Sequence, residues 1–234
     1  MKSIDRILVS LDTDDADWAS ELASRLKGYV GGIKLGKQFF TANGPHGVNE
    51  IACVGQPIFM DLKFHDIPNT VASAIRALHR LQPFMLNVHA FGGRRMMEAA
   101  VAANNEATEP RPLLLGVTVL TSLSEPDLKE IGVPLDSGQQ VVRLAQLAQD
   151  CGMDGVVCSP LEITLLRKAC GDAFKLVVPG VRPSWASSND QKRVATPSEA
   201  IARGADYLVI GRPITKSDDP VVAAARIGEE LSVL

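Results

Sequence analysis

Pro57-Ile58-Phe59-Met60-Asp61-Leu62-Lys63-Phe64-His65-Asp66-Ile67-Pro68-Asn69-Thr70 reads as a strand, a turn and the start of a helix. The apolar run that opens it predicts a strand over Pro57–Lys63. Pro68 then begins a pattern with Val71, Ile75, Leu78 and Leu81 on one side, which is helical spacing. The same strand-then-helix unit recurs on both sides of this segment. Strands are expected at Ile7–Asp12, Gly32–Gly36, Met85–His89, Leu113–Leu120, Gly155–Ser159, Lys175–Gly180 and Tyr207–Arg212. Between them, Trp18, Leu22 and Leu26 repeat at four-residue spacing after Asp14, with Gly28 at the expected C-terminal cap. Asp219-Pro220 starts a last helix with Val222, Ile227 and Leu231 available for the core.

Near-continuous apolar strands imply a parallel sheet buried on both faces by helices. Eight such units, with no composition shift and no Gly/Ser-rich linker, predict an α/β fold: a single (β/α)8 TIM barrel spanning 1–234. An open doubly wound sheet is the alternative, disfavoured because no Gly-x-Gly-x-x-Gly follows the first strand. Active sites of such barrels form at the C-terminal strand ends.

Charges embedded in strands mark that end. Asp12 closes the first strand, and Lys34 between Ile33 and Leu35 faces the barrel interior if those two face helices. Asp61 and Lys63 are two apart, hence on one face, and Asn87 and His89 share a face of the fourth strand. A buried lysine costs several kcal/mol unless a carboxylate compensates it. Two lysines and two aspartates from three strands therefore form either an alternating catalytic ring or an ion-pair network that only fixes register. Asp66 and Thr70 also have a bland reading as first-turn residues of the helix opened by Pro68. His65, offset on a turn, reads as a polar loop or interface residue.

The other end of a ligand is legible in the last two units. A long connection follows Pro179-Gly180-Val181-Arg182, with Ser184, Ser187 and Ser188 near its start and Gln191, Lys192 and Arg193 within it. Connections of that length are usually lids or binding loops. Gly211-Arg212-Pro213-Ile214 follows the eighth strand, and barrels frequently bind phosphate after strands seven and eight. Gly211 permits close approach of backbone N–H groups, and Arg212 offers a fork of donors.

With 46% hydrophobic and 22% charged residues, the chain has the balance of a water-soluble domain with a sizeable core. A net charge of −3 gives no basic stripe for nucleic acid or an anionic membrane. Cys53, Cys151, Cys158 and Cys170 form no CxxC pair and no metal-ligand spacing, so they read as small hydrophobes in a reducing compartment. Met1-Lys2-Ser3-Ile4-Asp5-Arg6 carries no signal-peptide pattern, no apolar run approaches a membrane span, and a cytoplasmic location is expected.

The motif Asp61-x-Lys63-x-x-Asp66-Ile67-Pro68-x-Thr70 resembles the signature of orotidine 5′-phosphate decarboxylases. Leu120-Thr121-Ser122, Pro179-Gly180-Val181-Arg182-Pro183, Asp190-Gln191-Lys192-Arg193 and Gly211-Arg212-Pro213-Ile214 resemble that family too, in the order and spacing of its compact bacterial form. The resemblance implies a lyase of pyrimidine biosynthesis that converts orotidine 5′-monophosphate to UMP without cofactor or metal. It implies that Lys63 protonates the pyrimidine carbon losing CO₂ and that Asp61 lies against the departing carboxylate. Lys34 would link Asp12 and Asp61 to the ribose hydroxyls, and Thr121 and Ser122 would meet the pyrimidine. Gln191 would bridge base and phosphate, with Arg182, Gly211 and Arg212 at the phosphate. Asp66 and Thr70 would reach the neighbouring site of a homodimer. Two other readings fit the same residues. One is a Mg²⁺-dependent sugar-phosphate barrel with the same Asp-x-Lys-x-x-Asp core, such as a keto-gulonate-phosphate decarboxylase or hexulose-phosphate synthase. The other is a nucleotide-binding barrel without turnover.

Overall fold

A computed structural model describes residues 2–186 and 195–232. Eight parallel strands pair in sequence order, and β1 closes on β8. They are β1 (Ile7–Leu11), β2 (Gly32–Gly36), β3 (Ile58–Phe64), β4 (Met85–His89), β5 (Leu113–Val117), β6 (Gly155–Val157), β7 (Lys175–Pro179) and β8 (Tyr207–Ile210). Helices α1 (Ala16–Leu26), α2 (Lys37–Ala52), α3 (Pro68–Leu78) and α4 (Gly93–Asn104) follow the first four strands. After β5 come α5 (Glu125–Glu130) and α6 (Ser137–Asp150), and α7 (Ile163–Cys170) follows β6. Next are α8 (Pro197–Ala202) after β7, then α9 (Arg212–Thr215) and α10 (Pro220–Ser232) after β8. Among the described residues no helix is long and apolar enough to cross a membrane.

Strand alternation divides the core in two. Ile7, Val9, Ile33, Leu35, Met60, Leu86, Leu114, Leu176 and Leu208 face the helices and join their apolar sides in one large cluster. Leu8, Phe59, Met85, Leu115, Val177, Tyr207 and Val209 form a second cluster inside the barrel. The barrel interior is thus packed at the floor, and its next layer toward the C-terminal ends carries the polar residues Ser10, Lys34, Asp61 and Asn87, all buried.

Several expected strands are shorter than their apolar runs. β5 stops at Val117, and just beyond it Thr118 donates both its N–H and its hydroxyl to the Val157 carbonyl, at 3.3 and 3.0 Å. β6 stops at Val157, and beyond it the Ser159 N–H donates to the Glu162 carboxylate at 2.8 Å. β8 stops at Ile210, where Gly211 caps the short helix α9 and Pro213 cannot donate to a ladder. β1 and β7 end one residue early, at Leu11 and Pro179, whereas β3 runs on to Phe64, which pairs with Val88.

Helix starts agree more closely. Asp15, one place after the expected Asp14, caps α1 by accepting from Trp18 N. Leu22 and Leu26 are buried as expected, but Trp18 lies 38% exposed at the edge of the apolar face. Likewise Ile227 and Leu231 of α10 are buried while Val222 is 62% exposed, one hundred-degree step too far round. Pro45 breaks α2, where Gly44 leaves helical geometry at φ 58°. Cys151, Cys158 and Cys170 are buried free thiols, and Cys53 is exposed.

Close strand approach leaves no room at Gly155. A methyl group there would lie 2.2 Å from the Lys175 carbonyl oxygen across the β6–β7 pair. Gly155→Ala is expected to destabilise the barrel by about 1–3 kcal/mol through forced backbone displacement. A lowered urea midpoint would register this, and an unchanged midpoint would mean the two strands separate at no cost.

Candidate functional site

The Lys63 backbone sets the site. Register along β3 and β4 shifts between Met60, opposite Leu86, and Phe64, opposite Val88, so β3 carries surplus residues against Asn87 alone. Such a bulge bends the strand and re-aims side chains. Lys63 takes the left-handed conformation, φ 52°, which is uncommon for a residue other than glycine. Asn87 replaces the lost ladder contact: its side-chain oxygen accepts from Lys63 N at 2.8 Å, and its amide donates to Asp61 Oδ1 at 2.7 Å. A strained backbone held by a buried side chain is a feature that active sites retain.

Four charges then alternate. Lys63 Nζ lies 2.6 Å from Asp61 Oδ1, and Lys34 Nζ lies 3.2 Å from Asp61 Oδ2 and 3.2 Å from Asp12 Oδ1. Ser10 Oγ donates to Asp12 Oδ2 at 2.7 Å. Exposure grades along the chain: the Lys34 and Asp61 side chains are nearly closed off, Lys63 is partly open, and Asp12 reaches solvent. Burial works to raise the Asp61 pKa, but the two lysines and the Lys63 and Asn87 hydrogen bonds overcome it and bring the carboxyl down to about 2. On β4, burial first and then His65, Lys37 and Lys63 lower His89 to about 4, leaving its ring neutral at pH 7.

Ser10 and the four charged residues, though not Asn87 or His89, line one cavity of about 600 Å³ at the C-terminal strand ends, a volume suited to a ligand of nucleotide size. Asp12, Lys34, Asp61 and Lys63 form its charged wall, and Val117, Val119, Val157 and Cys158 form an apolar one. Thr121, Arg182, Gly211 and Arg212 are also part of the lining. Burial pushes the Cys158 thiol well above its ordinary pKa, so it contributes an apolar surface and no thiolate. Asp66, Thr70 and Ser122 are exposed and lie outside this cavity, while Gln191, Lys192 and Arg193 lie outside the described residues. His65 is exposed, its ring centroid 5.6 Å from that of His89.

Three contributors escaped the sequence reading. Ser10 is an inward hydroxyl one alternation before Asp12, a signal that strand periodicity carried. Asn87 was placed at the mouth, but its bridging of Lys63 and Asp61 depends on a bulge that has no sequence mark. Lys37, directly after β2, lines the cavity mouth, and among the described residues it has no acidic partner within 4 Å. Among the described residues, too, no group of three or more His, Cys, Asp or Glu is placed to hold a metal ion.

Residues 5–227 match the model of the orotidine 5′-phosphate decarboxylase / HUMPS family. The chain belongs to that family. It is 52% identical over 234 residues to an orotidine 5′-phosphate decarboxylase of Paramagnetospirillum magneticum, covering 98% of this chain and 100% of the relative. To that of Rhodospirillum rubrum it is 54% identical over 230 residues, covering 96% and 93%. The crystal structure of orotidine 5′-phosphate decarboxylase from Lactobacillus acidophilus superposes with a TM-score of 0.86 at 36% identity, covering 96% of this chain and 98% of that one. Family membership thus accounts for the closed eight-stranded barrel.

Ionisation of the charged wall is open to direct measurement. Asp61 has its folded pKa lowered from 3.8 to about 2, so its contribution to stability is present above 3.8 and is lost as pH falls through about 2. The expected size is on the order of 2 kcal/mol. Urea unfolding of wild type and Asp61→Asn at steps from pH 5 to pH 2 should show the wild type losing stability faster by that amount. Parallel pH profiles would mean that the lysines do not hold Asp61 ionised.

Proposed function

We propose that the chain is a cytoplasmic, homodimeric orotidine-5′-phosphate decarboxylase that converts orotidine 5′-monophosphate to UMP without a cofactor, with Lys63 as proton donor. The observation that carries this reading is the Lys34–Asp61–Lys63 cluster on one wall of a nucleotide-sized cavity, with Arg182 and Arg212 on the same lining. The near full-length similarity to decarboxylases of that name supports the substrate.

The difficulty in this reaction is electronic. When the bond from pyrimidine C6 to the carboxylate breaks, CO₂ leaves and the electron pair stays on C6 in the ring plane, where no sink is conjugated to it. Lys63 Nζ supplies positive charge beside C6 and then a proton to it, and solvent returns a proton to the amine afterwards. Unit charges ~4 Å apart interact by about 4 kcal/mol at an effective dielectric of 20, against about 1 in water. Placement in a buried wall therefore multiplies the value of each charge. Asp61, fixed as an anion by two lysines, stands against the substrate carboxylate and adds repulsion that is relieved as CO₂ departs. Both its oxygens are already engaged by cations and by Asn87, so a divalent ion would have to displace a lysine to use it.

Lys34, between Asp12 and Asp61, orients these carboxylates toward the ribose hydroxyls, and Thr121 and Ser122 serve the base. Arg182, Gly211, Arg212 and, from the segment outside the described residues, Gln191 hold the phosphate. Remote binding energy of this kind is drawn on to orient the reacting end. Asp66 and Thr70 complete the partner's site; their exposure beside Ile67, itself 66% exposed, fits a surface that a second subunit covers.

UV-monitored turnover of orotidine 5′-monophosphate tests the reading. Lys63→Ala is expected to abolish turnover nearly completely in a folded dimer, and substantial residual activity would remove Lys63 from its role. Arg212→Ala should lower kcat/KM by about 30-fold or more, the loss of charge-assisted hydrogen bonds to phosphate. Full activity in EDTA is the expected result for the wild type. Loss in EDTA with recovery on adding Mg²⁺ would move the assignment to the metal-dependent sugar-phosphate branch of the family.

A further inference from the structure

The connection after β7 leaves the barrel through a built neck. Arg182 N donates to the Ala195 carbonyl at 3.1 Å, joining the two ends of the connection by a backbone hydrogen bond. Val181 and Ala195 beside it are buried. Each side of the neck is then fixed to α10 by a different contact. On the leading side, Trp185 packs against the main core, and the Arg226 guanidinium of α10 lies over its ring, 4.8 Å from the centroid. Trp185 Nε1 is buried without a hydrogen-bond partner, so the indole is held by core packing beneath and the guanidinium above. On the trailing side, Ser198 in the first turn of α8 donates to Glu230 Oε1 of α10 from its N–H at 3.2 Å and its hydroxyl at 2.8 Å. Arg226 and Glu230 are four residues apart, hence neighbours on one face of α10.

None of these contacts belongs to the barrel wall, and Arg226 is itself exposed. Arg182 emerges from this neck and lines the cavity. We propose that Arg226 is a positioning residue for the phosphate end of the site: α10 serves as a platform, and the Arg226–Trp185 stack sets where Arg182 enters the cavity. The proposal rests on the reading of Arg182 as a phosphate contact.

The test compares orotidine 5′-monophosphate with phosphate-free orotidine. Arg226→Met keeps the aliphatic stem and removes the cation. It is expected to lower kcat/KM for the nucleotide about 10-fold, mainly through KM, and to leave kcat/KM for orotidine unchanged. Arg226→Lys, which retains a cation over the ring, should restore most of the loss. Arg182→Ala with Arg226→Met should be no worse than Arg182→Ala alone, because both act on one contact. A parallel fall for both substrates, or a lowered melting temperature with an unchanged substrate ratio, would overturn the role of Arg226. Arg182→Ala alone separates the two levels. If it lowers the nucleotide-to-nucleoside ratio while Arg226→Met does not, the platform fails and the phosphate contact stands. If Arg182→Ala leaves the ratio intact, the phosphate contact fails and takes the platform with it.

Discussion

Asp61 between Lys34 and Lys63 is the constraint around which the upper barrel is arranged. Two ammonium groups on the inner face of a parallel barrel would repel each other and lose hydration, a combination that opposes folding. One carboxylate with both oxygens engaged resolves this, provided that it is ionised and rigidly aimed. Asn87 fixes one oxygen and also accepts the Lys63 N–H, so the same amide that orients Asp61 holds the Lys63 backbone in its left-handed turn. Remove any member and the others lose a partner in a place where water cannot easily substitute.

That cluster works because of what lies beneath it. Phe59, Leu8, Met85, Leu115, Val177 and Tyr207 fill the barrel one layer down, so the charged residues stand on an apolar floor and field lines do not leak into bulk water from below. Val117, Val119, Val157 and Cys158 continue this surface up the far wall. A ring placed between the walls meets fixed charges on one side and weakly polar surface on the other. Asymmetry of this kind is what a reaction that builds charge at one ring atom requires.

Much of this was legible in the residues. Lys34 between Ile33 and Leu35 had to face inward once those two faced helices, and both occupy the helix-facing cluster. Asp61 and Lys63 could be placed on one wall by period-two alternation, although the route is different: φ 52° at Lys63 and a register shift deliver the contact, where regular alternation was assumed. A bulge has no compositional mark, so the sequence places Asn87 at the mouth but does not reveal that it bridges Lys63 and Asp61. Strand ends were overextended for a related reason. Apolar residues such as Val119 and Leu120 continue beyond β5 because they line the cavity, and hydrophobicity does not distinguish a strand from a ligand wall. Trp18 lies on the exposed margin of α1, since a four-residue step drifts round the 3.6-residue turn, and Val222 lies one position ahead of the buried Ala223, Ile227 and Leu231 face of α10.

The two ends of the cavity are built on different parts of the fold. Asp12, Lys34, Asp61 and Lys63 sit at or within β1, β2 and β3, where neighbouring ladders leave little freedom. Arg182 and Arg212 stand just past β7 and β8, on segments whose positions are set by α8, α9 and α10 packing outside the barrel. In the closed strand order β7 lies across from β3, so a ligand reaching from Lys63 to Arg182 spans the barrel mouth from strand-borne charges to helix-supported ones. Under the proposed function, chemistry is thereby tied to the strands, and grip on the remote phosphate to segments beside the outer helices. On that reading, changes in α8, α9 or α10 would alter how the phosphorylated end is held while Asp61 and its two lysines stay in register.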